Sequence, residues 1–354
     1  RRMTAATETM SAVDPLTELK AINLREVRAK ISPVCEQRSL PRALGPLVFD
    51  LLLYAGGVAV ALAAGALWLK LLGGFVAGCA VAFLFVWAHD AAHGALFANR
   101  RTAEVLGTLA MLPSLNMYRL WSFGHNRVHH GFTSLSTIDW IWRPWTPEEY
   151  AAAGRWRRAL YRIERTPGGC ALHYLIHVWW LRMVRFNPGQ TPAERRRMRN
   201  NKLLTLAFAV LLSGLAYALG GGIAGVIAAV ALPFIVFNYF IALFIYLHHT
   251  HPDIPFFLER ESWGPAVGQL YCSTVVRFSW LMEKLTHNIM IHVPHHVNPH
   301  IPFYRLPQAY ADLKRHYGHY IHEYRFSWSG MRDIFRRCKL FDYEQRRWYA
   351  YGAA

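Results

Sequence analysis

The strongest constraint on this chain is a pair of long stretches almost free of charge. Between Gly45 and Leu96 the only charged residues are Asp50, Lys70 and Asp90, and from Leu203 to Leu247 there are none. One bilayer crossing takes about 20 residues, so each stretch can cross twice. Glycine clusters near their middles, Gly73-Gly74 and Gly220-Gly221-Gly222, read as turns. The expected spans are then roughly 43–71, 75–97, 202–219 and 223–247. This describes an all-α integral membrane protein with four transmembrane helices in two hairpins.

The net charge of +17 would suit a nucleic-acid binder, but its placement argues for a membrane. Basic residues crowd the flanks of the apolar blocks (Arg25 to Arg42, Arg100 and Arg101, Arg155 to Arg165, Arg195 to Lys202), while the links inside the blocks hold almost none. By the positive-inside rule, both termini and the flanks face the cytoplasm. The same surplus would attract anionic headgroups and acidic redox partners. The segment from Thr102 to Leu120 and the Trp-, Tyr- and Arg-rich stretch 156–187 read as interfacial amphipathic helices. The resulting division is a cytoplasmic arm (1–43), a first hairpin (44–97), an interfacial segment (98–201), a second hairpin (202–251) and a cytosolic helical cap (252–354). Prolines 15, 33 and 41 should interrupt any long helix in the arm. Met3 to Glu36 is polar, with no apolar core, so no cleavable signal is expected there. Five scattered cysteines without a C-x-x-C pair exclude a disulfide framework and a zinc ribbon.

The histidines sharpen the picture. Of 18, eight fall in three clusters: His89 and His93; His125, His129 and His130; and His292, His295 and His296. Three more, His248, His249 and His251, end the last apolar run. In a helix, residues at i, i+3 and i+4 share a face, so the 292 trio could point at one metal. If the spans alternate as expected, every cluster lies on the cytoplasmic side. Among the three at 248–251, His249 is the expected additional ligand. Asp90 could orient a ligating imidazole from outside, and His287 and Asn288 are further outer candidates. His173 and His177 repeat the i, i+4 spacing but lie beside Trp179 and Trp180, which suits interfacial anchoring. His316, His319 and His322 read as surface residues.

Eight or nine imidazoles exceed the four ligands of one tetrahedral zinc and suit two metals of higher coordination. There is no H-E-x-x-H helix, which counts against a zinc protease. Two irons reduced by an outside donor would activate O2, and the resulting oxidant would take hydrogen from an unactivated methylene. A substrate made mostly of methylenes explains the membrane setting.

The clusters His89-x3-His93, His125-x3-His129-His130 and His292-x2-His295-His296 resemble the histidine boxes of the membrane fatty acid desaturases over about residues 80–315. The stretches Tyr246-Leu247-His248-His249-Thr250-His251-Pro252 and His287-Asn288-Ile289 are similar to those of the acyl-lipid, delta-12 or methyl-end type. The resemblance implies a non-haem di-iron site on a cytosolic cap above a four-helix stem, with a narrow acyl tunnel. It also implies O2 as co-substrate, and ferredoxin or cytochrome b5 as donor. The eight box histidines and His249 would be the ligands. Box two has three residues, not two, between its first histidine and its pair. A haem motif His-Pro-Gly-Gly is absent, Thr166-Pro167-Gly168-Gly169 being the nearest approach, so the donor would be a separate protein. Hydroxylation, carotenoid ketolation, epoxidation and acetylene formation use the same oxidant and are the rival chemistries. A metal or proton transporter would carry its ionisable residues at mid-span; here they gather at span ends.

Overall fold

In the computed structural model, which describes residues 14–352, four helices are long and apolar enough to cross a membrane: Leu40–Ala63, Leu67–Ala92, Pro192–Leu219 and Ile223–His249. At 1.5 Å per residue they run about 36–42 Å, enough for a hydrocarbon core of about 30 Å with some tilt. The second and fourth pack centrally, and the first and third lie outside them with most of their surface exposed. Residues 1–13 of the expected arm lie outside the described residues.

Two expected boundaries shift. Gly73-Gly74 is not a turn; it lies inside the second long helix, and the chain reverses at Ala64-Gly65-Ala66. A Cβ on Gly73 would sit 2.6 Å from the Gly57 carbonyl oxygen, and one on Gly57 2.8 Å from the Gly73 oxygen, so the two backbones touch. Paired glycines signal turns in water, but in a bilayer small residues are what let helices approach closely. The third long helix begins at Pro192, ten residues before the expected start, with a Thr191/Glu194 capping box and Pro192 in its first turn. Arg195 to Lys202 are therefore its first turns. Gly220-Gly221-Gly222 is the expected turn, with Gly221 and Gly222 at positive φ. Lys70 spans both hairpin tips, donating to the carbonyls of Ala61, Leu62 and Gly220 at 3.3, 2.9 and 3.0 Å and satisfying acceptors that helix ends leave open.

On the opposite side the chain builds a mostly helical cap. Its strands are few: a parallel pair, β1 (Thr274–Arg277) with β2 (His322–Arg325), and an antiparallel pair, β3 (Leu340–Asp342) with β4 (Arg347–Tyr349). Helix Arg155–Glu164 and the segment 171–185 leave Trp156 and Trp180 exposed. The arm is not a free strap. Leu16, Leu19, Val27 and Cys35 are buried in the main core, Arg28 Nε donates to the Val297 carbonyl at 2.6 Å, and Asn298 Nδ2 to Glu36 at 2.8 Å. Pro41 sits in the first turn of the first long helix, where its missing N–H costs nothing. Stem and cap are tied by a buried pair, Asp50 Oδ2 to His287 Nε2 at 2.7 Å. The five cysteines are all free.

The glycine contact is testable. Gly73→Leu should force the first two helices apart, cost about 1–3 kcal/mol by overpacking, and lower the melting temperature in detergent by several degrees, read by a thermal-shift assay.

Candidate metal centre

The second long helix ends in His89 and His93, one turn apart, with ring centroids 4.8 Å apart. Box two follows helix Tyr118–Phe123, and here the backbone widens to a π-turn over Gly124–His129. An α-helix would swing residue i+5 about 140° from residue i; the wider turn restores them to one face, as such turns often do at functional sites. His125 and His130, five apart, consequently meet with Nε2 atoms at 3.1 Å. The additional residue in box two is absorbed by this turn.

The imidazoles fall into two sets. His89, His93, His125, His130 and His295 bring five ligand nitrogens within 4.8 Å of one another, and His129, His249, His292 and His296 bring four. The expectation that the 292 trio faces a single metal is corrected. Positions i+3 and i+4 lie about 100° apart around a helix, so His295 turns to the first set while His292 and His296 turn to the second. His129 and His130 divide in the same way. The rings of His130 and His296 stack at 4.2 Å and join the two sets.

Outer partners orient the second set. Each Nδ1 faces an oxygen: His129 to Asp139 at 2.9 Å, His249 to the Cys272 carbonyl at 3.0 Å, His292 to the Ile289 carbonyl at 3.2 Å, and His296 to Gln269 Oε1 at 2.9 Å. The proton of each ring therefore sits on Nδ1, and each Nε2 carries a lone pair. Yet Nε2 of His129 and His249 are 3.1 Å apart, and those of His292 and His296 3.0 Å. Lone pairs that close repel unless a cation lies among them. In the first set, Nε2 of His89 and of His93 are buried without any partner, and His89 Nδ1 faces Asp90 at 2.9 Å. The residues present thus fit two borderline transition-metal ions. Burial, reinforced by neighbouring imidazoles, holds His125, His130, His292, His295 and His296 well below the ordinary imidazole pKa, which keeps them neutral and able to ligate.

Asp90 is where expected, and its second oxygen accepts from the Phe303 amide at 2.6 Å. Asn288 touches no imidazole of either set; its side chain donates to the Phe303 carbonyl at 3.2 Å. His287 pairs with Asp50 instead, and His287 and Asn288 both adopt positive φ to turn the chain into box three. His248 stacks on His292 at 3.7 Å without joining either set. His173 is not an interfacial anchor: it is buried, stacks on Trp142 at 3.8 Å, and with His177 faces Glu164. His316 and His319 are exposed as expected, whereas His322 is half-buried beside His251 and Asp253. Asp139, Gln269 and Trp121, the last stacked on His125 at 4.4 Å, were missed. A lone acid amid apolar and aromatic residues, as in Ile138-Asp139-Trp140, is the one signal that could have flagged Asp139.

A narrow apolar slot runs from this cluster between the long helices and the segment 171–185. Phe85, Leu120, Trp121, Tyr174, Val178 and Ile241 line it together with His89, His125, His129 and His292.

A fatty acid desaturase family model matches residues 66–328. The chain belongs to that family, and it is a membrane-bound oxidoreductase that introduces a double bond into acyl chains. Among similar proteins, an sn-1 oleoyl-lipid 12-desaturase of Picosynechococcus is 32% identical over 278 residues, 76% of each chain. A protein of the same name from Anabaena variabilis is 30% identical over 75% of this chain and 74% of its own. A chloroplastic omega-6 fatty acid desaturase of Glycine max is 30% identical over 76% of this chain and 62% of its own. The relatives are of the delta-12, acyl-lipid type.

Two outcomes follow. Asp139→Asn should loosen His129 and lower metal retention about 10–100-fold, read as metal content after dialysis against a chelator. Because the buried imidazoles titrate lower when folded than the usual 6.5, the unfolded chain takes up more protons as pH drops below 6.5. The metal-free protein should therefore keep full stability above that pH and melt at progressively lower temperature below it.

Proposed function

We propose that this enzyme inserts a second double bond, at the 12 position, into an oleoyl chain carried on a membrane glycerolipid. It works at the cytoplasmic face, with two non-haem irons, O2 and electrons from a separate carrier protein. The observation that carries the reading is the convergence of nine imidazoles, in sets of five and four, beside an apolar slot. His89, His93, His125, His130 and His295 would hold one iron, and His129, His249, His292 and His296 the other. When bound, the pair would supply the reductive activation of O2.

The chain's own residues do the rest. Phe85, Trp121 and Ile241 hold the methylenes and exclude water; Asp90, Asp139 and Gln269 fix the orientation of His89, His129 and His296. The bond position depends on how far along the slot a chain must reach before its methylenes meet the cluster. The relatives' names support the oleoyl substrate and the 12 position. The basic flanks support the cytoplasmic placement.

The test is expression in a host that makes oleate but no dienoic acids, with gas chromatography of the lipids. A dienoic C18 ester should appear. His295→Ala and His296→Ala should each abolish it while leaving expression level and stem melting intact. A hydroxylated product, or an unchanged profile, would overturn the reading.

A further inference from the structure

Desaturation as read above leaves an electron account to close. Converting two methylenes to one double bond releases two hydrogens, and reducing O2 to two waters consumes four; two electrons and two protons must come from outside. The apolar slot is a poor entry for them. A second opening lies on the other side of the box-two segment.

That segment, 118–129, is a wall with two faces. Leu120, Trp121, Gly124 and His125 face the slot, whereas Arg119, Ser122, Asn126 and Arg127 face a broad polar cleft of ≈ 660 Å³. His93 lines the cleft and belongs to the five-imidazole set, so the cluster lies one side chain below the cleft surface. Around it stand five guanidinium groups from four chain segments: Arg38, Arg100, Arg119, Arg127 and Arg197. Among the described residues, only two carboxylates oppose them, Glu104, which pairs with Arg119, and Glu194. Arg38 is fixed by its hydrogen bond to the Gly94 carbonyl at 3.0 Å, beside His93. Arg100, Arg127 and Arg197 are exposed.

We infer that this cleft is the docking surface for an acidic one-electron carrier protein, and that electrons enter the cluster at His93. The carrier delivers one electron on each of two visits per double bond, and solvent in the polar cleft supplies the two protons. The charges favour a protein over a lipid headgroup, because they are spread over four segments rather than gathered at one point. The wall also separates them from the acyl slot, which has its own guanidinium, Arg182. Positive charge arranged around an opening steers an oppositely charged partner and gives binding a strong salt dependence. The proposal rests on the desaturase reading for its need of electrons, but the cleft's charge and its approach to His93 do not depend on that reading.

The experiment uses the full chain in lipid nanodiscs with an acidic [2Fe–2S] ferredoxin as probe, measuring binding by surface plasmon resonance. The double variant Arg127→Glu/Arg197→Glu should weaken binding at least about fivefold, and wild-type binding should weaken as salt rises through the range that screens surface charge. Arg127→Lys/Arg197→Lys, which keeps the charge, should bind within about twofold of wild type. In turnover assays the charge-reversed variant should lose ferredoxin-driven product while retaining dithionite-driven product. Unchanged ferredoxin binding overturns the proposal. So does a raised KM for the oleoyl lipid with ferredoxin binding intact, which would mark the cleft as a headgroup site. If wild type forms no double bond with either reductant, the desaturase reading fails, while the binding measurement still decides whether the cleft takes an acidic protein.

Discussion

Nine imidazole rings can be crowded into one buried place only if their protons are held on the far side and a cation takes up the lone pairs on the near side. That electrostatic condition organises the molecule. It explains why Asp90, Asp139, Gln269 and the carbonyls of Ile289 and Cys272 stand behind His89, His129, His296, His292 and His249. It also explains why two long helices end together at His93 and His249, and why box two leaves α-helical geometry for a wider turn. None of these features stabilises a helix locally. Each is tolerated because the cluster as a whole needs it.

The stem meets this demand with backbone contact and few polar ties. Gly57 against Gly73 lets the first two helices touch, and Lys70 closes the far ends of both hairpins with three hydrogen bonds. At the near end, Asp50 reaches from the first helix to His287, anchoring the two residues in left-handed conformation from which box three emerges. The strain of two consecutive non-glycine residues at positive φ is held by this buried pair and by the Asn288 bond to Phe303. Phe303 in turn donates to Asp90, so the second helix, box three and the following loop are one connected unit. The N-terminal arm then locks box three from outside through Arg28 and Glu36.

The wall formed by residues 118–129 separates two environments that the chemistry needs kept apart. One face is apolar and suits a hydrocarbon chain; the other is cationic and open to water. Because the π-turn rotates successive side chains unevenly, His125 and His130 reach the cluster while Asn126 and Arg127 turn outward. A regular helix of the same sequence would have placed His130 away from His125.

Much of the architecture was legible in the sequence because bilayer energetics act on whole segments: about twenty consecutive uncharged residues have few alternatives to a spanning helix. The box histidines and His249 were legible too, since periodicity puts i and i+4 on one face and helix parity puts the clusters on one side. Gly73-Gly74 misread as a turn because small residues mean turns in water and close packing in membranes. The 292 trio misread as one metal's ligands because spacing reports direction from the helix axis but not what stands opposite. Gln269 had no local signature, and Asp139 only that of a lone acid between apolar and aromatic neighbours. The sequence by itself determined that four apolar helices form and that many histidines gather beside them, since each follows from composition and periodicity along the chain. Only the tertiary structure decided the five-and-four division, the oxygen behind each ring of the four-membered set and the two faces of the box-two wall, because these depend on contacts between segments up to hundreds of residues apart.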